Sequence, residues 1–231
     1  MLDNIINIIF PKKCISCGKK GGYLCDDCLS LLETNPYYYC LCDKPQKLST
    51  SGKCSLCENK HLDGLLSASS LDQRLVKEMI HKIKYGYIKE LSLPCALLIL
   101  THLQIVGKDI SQYSLIPIPL SGTKKRRRGF NQSEEIARAI VEATSLPLIS
   151  EVLIKTKNSR AQVDLGRKER IENIKNCFAV KNKEKIEGKK ILLLDDVYTT
   201  GSTMNECAKV LKESGAKEVI GLTVAREITQ G

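Results

Sequence analysis

The sequence predicts an α/β fold, a parallel sheet flanked by helices, with a small cysteine-rich module at its N-terminus. Three observations predict it. From about residue 65 onward, helix-period and strand-like apolar segments alternate, the pattern of parallel strands joined by helical crossovers. Residues 191–203 read ILLLDDVYTTGST, a buried-strand run that passes through two aspartates and a hydroxyl-rich turn into a helix start. Eight of the 11 cysteines fall between residues 14 and 57, mostly in close pairs.

At 231 residues the chain accommodates one α/β domain and a satellite module, divided here at 1–64 and 65–231. The apolar and charged fractions, 42% and 27%, are those of a soluble globular protein. No apolar run reaches the roughly 18 residues of a membrane helix, and the opening MLDNIINIIFPKK has Asp3 where an export signal would be basic. No membrane insertion and a cytoplasmic location are the expectation.

In that setting paired cysteines favour zinc over disulfides. Cys14/Cys17 and Cys25/Cys28 are two C-x2-C knuckles that aim four sulfurs at one tetrahedral Zn²⁺. Cys54/Cys57 forms a third knuckle, and Cys40 with Cys42 makes a tighter C-x-C, a weaker signal for a second Zn²⁺. A four-thiolate site has no open position for a catalytic water, so these sites read as structural; so short a segment could hardly fold on its apolar surface alone.

The net charge is +10, yet residues 1–64 hold 8 basic against 7 acidic side chains. Nearly all the excess lies in the larger domain, which suits phosphate-bearing partners, nucleic acid or small molecule, and also plain solubility.

Within that domain, Ser70 can cap a helix over LDQRLVKEMIHKIKYG whose apolar face is Leu71, Leu75, Val76, Met79, Ile80 and Ile83, ended by Gly86. A second apolar helix covers PCALLILTHLQIV, and SLIPIPL is a strand. The basic run Lys124, Lys125, Arg126, Arg127, Arg128 lies just before Phe130. It suits either a nucleic-acid backbone with the ring stacked on a base, or a solvated loop that packs the ring beneath it. Asn131 with Glu134 resembles a capping box for the next helix. After the strand-like LISEVLIK, the Lys/Arg-rich stretch from Thr156 to Asn176 lacks apolar periodicity and reads as a mobile loop. The chain closes with a strand at 191–194, a helix from about 202 to 214, Gly215 as its left-handed stop, and the strand EVIGLTVAR. His81 and His102 read as helix-surface residues, and Cys95, Cys177 and Cys207 as small core residues.

This order puts ILLLDDVYTTGST at the carboxyl end of a parallel strand, where open α/β sheets bind ligands. The helix start offers unpaired N–H donors, Gly201 permits close backbone approach, and Thr199, Thr200, Ser202 and Thr203 add hydroxyls. Asp195 and Asp196 would repel a phosphate placed against them, but suit the hydroxyls of a sugar whose phosphate lies in the loop, or a magnesium ion. A sugar phosphate accounts for both halves.

The stretch resembles the phosphoribosyl-pyrophosphate (PRPP) signature of type I phosphoribosyltransferases. Together with an N-terminal double zinc ribbon, IPIPL, RRRGFNQS and RKERIENIKNCF, it makes the whole chain similar to the ComF family of competence-associated proteins. Two departures stand out. Tyr198 replaces a usual Val, of small consequence for a ring directed to solvent, and Tyr39 stands where that family has a cysteine, with Cys40 offset.

The resemblance implies a type I phosphoribosyltransferase fold and PRPP, or a related nucleotide, as ligand with Mg²⁺. Asp195 and Asp196 would hold the ribose hydroxyls; Thr199, Thr200, Gly201, Ser202 and Thr203 the 5′-phosphate; the turn after Ile116–Pro119 the pyrophosphate. Arg160, Lys168 and Arg170 would join the two aspartates as catalytic residues from a flexible loop that also carries Lys155 and Arg167. Gln162, Asn131 and Gln132 would add polar contacts. Two roles follow, handling of single-stranded DNA during natural transformation alongside a competence helicase, and active transfer of ribose 5-phosphate to an acceptor. A third reading, an interaction scaffold with a dead site, conflicts with the intact signature.

Overall fold

The computed structural model describes residues 11–42, 44–50, 52–157, 172 and 174–228. The N-terminal region holds one helical turn, α1 (Asp26–Leu29), and the antiparallel pair β1 (Tyr38–Tyr39) and β2 (Lys47–Leu48). The larger region runs β3 (Gly64–Ser70), α2 (Arg74–Tyr85), α3 (Ser92–Ile105), β4 (Tyr113–Pro117), α4 (Gly122–Arg128) and α5 (Gln132–Thr144). It continues through the short antiparallel pair β5 (Leu153–Lys155) and β6 (Phe178–Val180) to β7 (Lys190–Tyr198), α6 (Ser202–Glu213) and β8 (Glu218–Arg226).

The main sheet is parallel throughout, in the order β3-β8-β7-β4. Its central strands are apolar on both faces, as they must be when helices cover both. Alternation along β7 sends Leu192 and Leu194 into a core shared with α2, α3 and α5. Ile191 and Leu193 enter an opposite core with α6 and with Leu41 and Leu62 of the N-terminal region. Two cores pack β7 from both faces, and β7 carries the acid pair near its end.

Local signals account for most boundaries. Gly129 (φ +80°) ends α4 and Gly215 (φ +95°) follows α6, both in the left-handed conformation that glycine adopts without strain. Asn131 accepts from the Ser133 amide and caps α5, whereas Glu134 turns to Arg138, 2.7 Å away, instead of closing a capping box.

Some expectations need correction. Ser70 does not cap α2, which starts at Arg74 with Gln73 at its cap; Ser70 Oγ accepts from the Asp72 amide in a tighter local turn. The basic run is a helical turn rather than a loop, because Ser121 Oγ accepts from the Lys124 amide. Of LISEVLIK only Leu153–Lys155 is a strand, whereas the strand expected at 191–194 extends to Tyr198. His102 is fully buried on α3, its Nδ1 2.7 Å from the Asn35 carbonyl. Cys95, Cys177 and Cys207 are buried. No helix among the described residues is long and apolar enough to cross a membrane.

Candidate functional site

At the end of β7 the chain must turn from strand to helix within Thr199, Thr200 and Gly201. Gly201 makes the turn at φ +71°, and Thr200 Oγ1 lies 2.8 Å from Ser202 Oγ at the start of α6. A Cβ on Gly201 would run into the Tyr198 ring, 2.6 Å from Cε2, so the position excludes side chains on steric as well as conformational grounds. Asp195, Asp196 and Thr199–Met204 together line a recess of about 140 Å³ with Lys84.

The acid pair is held from two sides. Asp195 Oδ1 accepts from Ser133 Oγ at 3.0 Å and from the Asp196 amide at 2.9 Å. Asp196 Oδ2 pairs with Lys84 Nζ at 2.7 Å. Burial, then the charge of Asp196, push the Asp195 carboxyl up to about 7 against the opposing pull of Lys84. Burial disfavours the Lys84 ammonium, but Asp196 and Asp195 more than compensate and its pKa is raised. Two adjacent carboxylates sharing one lysine have spare acceptor capacity, which is what a diol or a divalent cation uses.

The recess opens into a larger cleft of about 400 Å³ that shares Lys84, Asp195, Asp196 and Thr203 with it. Lys124, Arg127 and Arg128 of α4, with Lys155, give this cleft a cationic wall. Lys125 and Arg126 do not line it; Lys125 lies 3.9 Å from Glu134. Phe130 is buried, with Lys89 Nζ 4.8 Å from the ring centre, so it is not a surface on which a base can stack. Asn131 is committed to capping α5 and to donating to the Ile118 carbonyl at 3.0 Å. Gln132 lines the cleft and accepts from Arg128. Arg160, Gln162, Arg167, Lys168 and Arg170 lie outside the described residues.

Both cysteine sets converge. The sulfurs of Cys14, Cys17, Cys25 and Cys28 lie within 4.8 Å of one another, and so do those of Cys40, Cys42, Cys54 and Cys57. Zinc–sulfur bonds of about 2.3 Å place tetrahedral ligands about 3.8 Å apart, close to the 3.6 Å of Cys17–Cys25 and of Cys54–Cys57 and the 3.4 Å of Cys42–Cys54. Burial would raise the Cys54 thiol, but hydrogen bonds from Cys42 and Cys57 bring it down to about 7. The offset Cys40 therefore reaches the second cluster, and each set fits one thiolate-bound Zn²⁺.

The second cluster also abuts the loop. Tyr198 does not point to solvent: it is 2% exposed and donates to the Leu41 carbonyl at 3.0 Å. Lys60 donates to the same carbonyl at 2.5 Å, and the buried Arg226 donates to the carbonyls of Cys40 and Cys42 at 3.1 and 2.9 Å. The Tyr198 ring is thus a strut between the cysteine module and Gly201. Lys84 and Ser133, absent from the sequence-derived site, become visible only when α2 and α5 pack beside β7.

The model of the phosphoribosyl transferase domain family matches residues 89–230. Competence protein F of Haemophilus influenzae is 33% identical over 107 residues, 46% of this chain and 47% of that protein. Competence protein ComFC of Streptococcus pneumoniae is 38% identical over 119 residues, 52% of this chain and 50% of that protein. ComFC of Bacillus subtilis is 28% identical over 215 residues, 90% of this chain and 86% of that protein. The chain thus spans about half the length of the first two relatives and most of the third. The phosphoribosyltransferase architecture and the clustered N-terminal cysteines expected from the sequence are both present.

Proposed function

The chain belongs to the phosphoribosyl transferase domain family, and from that premise we propose that it binds PRPP with Mg²⁺ and serves a ComF-type role in handling single-stranded DNA during competence. One observation carries the ligand reading: an acid pair at the end of β7 is followed at once by a glycine-hinged hydroxyl loop that opens α6. In that arrangement Asp195 and Asp196 accept from the ribose hydroxyls, and Thr199–Thr203 donate to the 5′-phosphate. Lys155 lies along the cleft, where the pyrophosphate charge would be neutralised. The carboxylates are hard oxygen donors suited to Mg²⁺, which when bound would add positive charge at the pyrophosphate. The names of the competence relatives support the competence role. The two cysteine clusters each hold one structural Zn²⁺ in this reading.

A second reading, active transfer, is favoured by the intact acid pair and loop. An acceptor nucleophile would bond to C1′ while the C1′–O bond breaks, and pyrophosphate would leave with the electron pair. The residues around the cleft then supply charge neutralisation and exclusion of water rather than covalent chemistry.

Calorimetric titration of PRPP with Mg²⁺ into the wild type and Asp195→Asn/Asp196→Asn tests the binding reading. A loss of at least about tenfold, about 1.4 kcal/mol, in the double variant supports it, and no heat with the wild type sinks it. Pyrophosphate release that depends on an added acceptor separates transfer from binding alone.

A further inference from the structure

Aromatic side chains are scarce here, with no Trp, 3 Phe and 8 Tyr. Among the described residues the exposed ones are Tyr37, Tyr85 and Tyr87, at 43%, 57% and 47%. Tyr85 and Tyr87 both line the larger cleft, across which Asp195 and Asp196 also face. Tyr85 ends α2 and is backed by the His81 ring, with 4.8 Å between ring centres. Tyr87 sits at φ +57°, a left-handed conformation that costs a bulky residue more than Gly or Asn. A solvated turn gains nothing from tyrosine at that position, whereas a flat apolar face beside a cleft gains a stacking surface.

The same cleft carries a surplus of positive charge. Among the described residues neither Lys124 nor Arg127 is ion-paired with a carboxylate. Burial, then repulsion from Arg128 and Lys84, lower the Lys124 ammonium against the weaker pull of Asp195 and Asp196. An anion placed there relieves that repulsion.

We propose that Tyr85, Tyr87, Lys124 and Arg127 form a nucleotide subsite separate from the Thr199–Thr203 loop: a nucleobase stacks on the tyrosines and the phosphate of the same nucleotide sits against the two cations. The proposal deepens the nucleic-acid role given above and rests on it. Stacking is tolerant of base identity, so the subsite takes any base with a flexible backbone, and an unpaired strand presents its bases more readily than a duplex does. A free nucleoside monophosphate carries the same base-and-phosphate unit.

The test uses the full-length protein and two variants, Tyr85→Ala/Tyr87→Asn and Lys124→Gln/Arg127→Gln; Asn tolerates the left-handed backbone at 87. A fluorescein-labelled oligothymidylate is followed by anisotropy and thymidine 5′-monophosphate by quenching of tyrosine emission, which no tryptophan obscures. PRPP with Mg²⁺ is titrated into the tyrosine variant in parallel. The expected result is a loss of at least about tenfold in oligothymidylate affinity in the tyrosine variant, with PRPP binding unchanged, and a shallower salt dependence in the cation variant. Binding of the monophosphate as well assigns the subsite to the base-and-phosphate unit; binding of the strand alone assigns it to the strand. Wild-type affinity for the strand in the tyrosine variant overturns the proposal, as does a wild type that binds neither ligand. Parallel loss of strand and PRPP binding overturns the separation of the two subsites. A wild type that fails to bind PRPP but keeps tyrosine-dependent nucleotide binding refutes the PRPP reading and leaves this subsite standing.

Discussion

Replacing Gly201 with alanine tests whether the cysteine module shapes the loop. At φ +71° alanine pays about 1–2 kcal/mol for the left-handed backbone. Its Cβ would also meet the Tyr198 ring, which cannot swing away freely because it is buried and bonded to the Leu41 carbonyl. Overpacking of this kind adds about 1–3 kcal/mol, for a total of about 2–5 kcal/mol. For a chain of this size that lowers Tm by roughly 4–20 °C. Tyr198→Val removes the obstacle but leaves a cavity and costs about 2–4 kcal/mol by itself. If the ring is the wall that Gly201 needs, the double variant escapes the steric part and is more stable than the sum by about 1–3 kcal/mol. Urea unfolding of the four proteins measures that coupling. Additivity within about 0.5 kcal/mol would refute the strut between module and loop.

Three further outcomes follow from the site. The Asp195 carboxyl is raised from 3.8 to about 7, so folding takes up a proton; its contribution to stability is complete below about pH 4 and disappears as pH rises through 7, about 4 kcal/mol in all. Asp195→Asn should flatten that slope, and PRPP affinity in the wild type should climb between pH 6 and 8, because ribose hydroxyls donate to the ionised form; a flat pH profile contradicts this. Lys84→Gln leaves Asp196 without its cation and should cost about 1–3 kcal/mol, less than a fully buried pair because Lys84 keeps some solvent contact. Adding Asp196→Asn should restore most of that loss, and no restoration argues against the pair. Metal analysis of protein released with a thiol-modifying reagent should give two zinc equivalents per chain, falling to one in Cys42→Ser/Cys54→Ser; one equivalent in the wild type would rule out the second cluster.

The sequence alone determined those features whose causes lie within a few residues of one another. The β7–loop–α6 passage was legible because a buried-strand run, a left-handed glycine and a helix start are local instructions, and the acid pair lies inside them. The first cysteine cluster was legible for the same reason, since two knuckles in close succession direct their own sulfurs. Tertiary structure decided what depends on which faces meet. Leu41 reaches Tyr198 across 157 residues and turns an apparently solvent-facing ring into a buried strut. Packing also hid Phe130 and His102, drew Cys40 into the second cluster, and brought Lys84 onto Asp196. Apolar periodicity states that a face will be buried but not against what, because core burial is non-directional. The partners of a buried charge or ring are set only when the elements dock, and the lysine, tyrosines and basic turn that frame the acid pair were settled at that step.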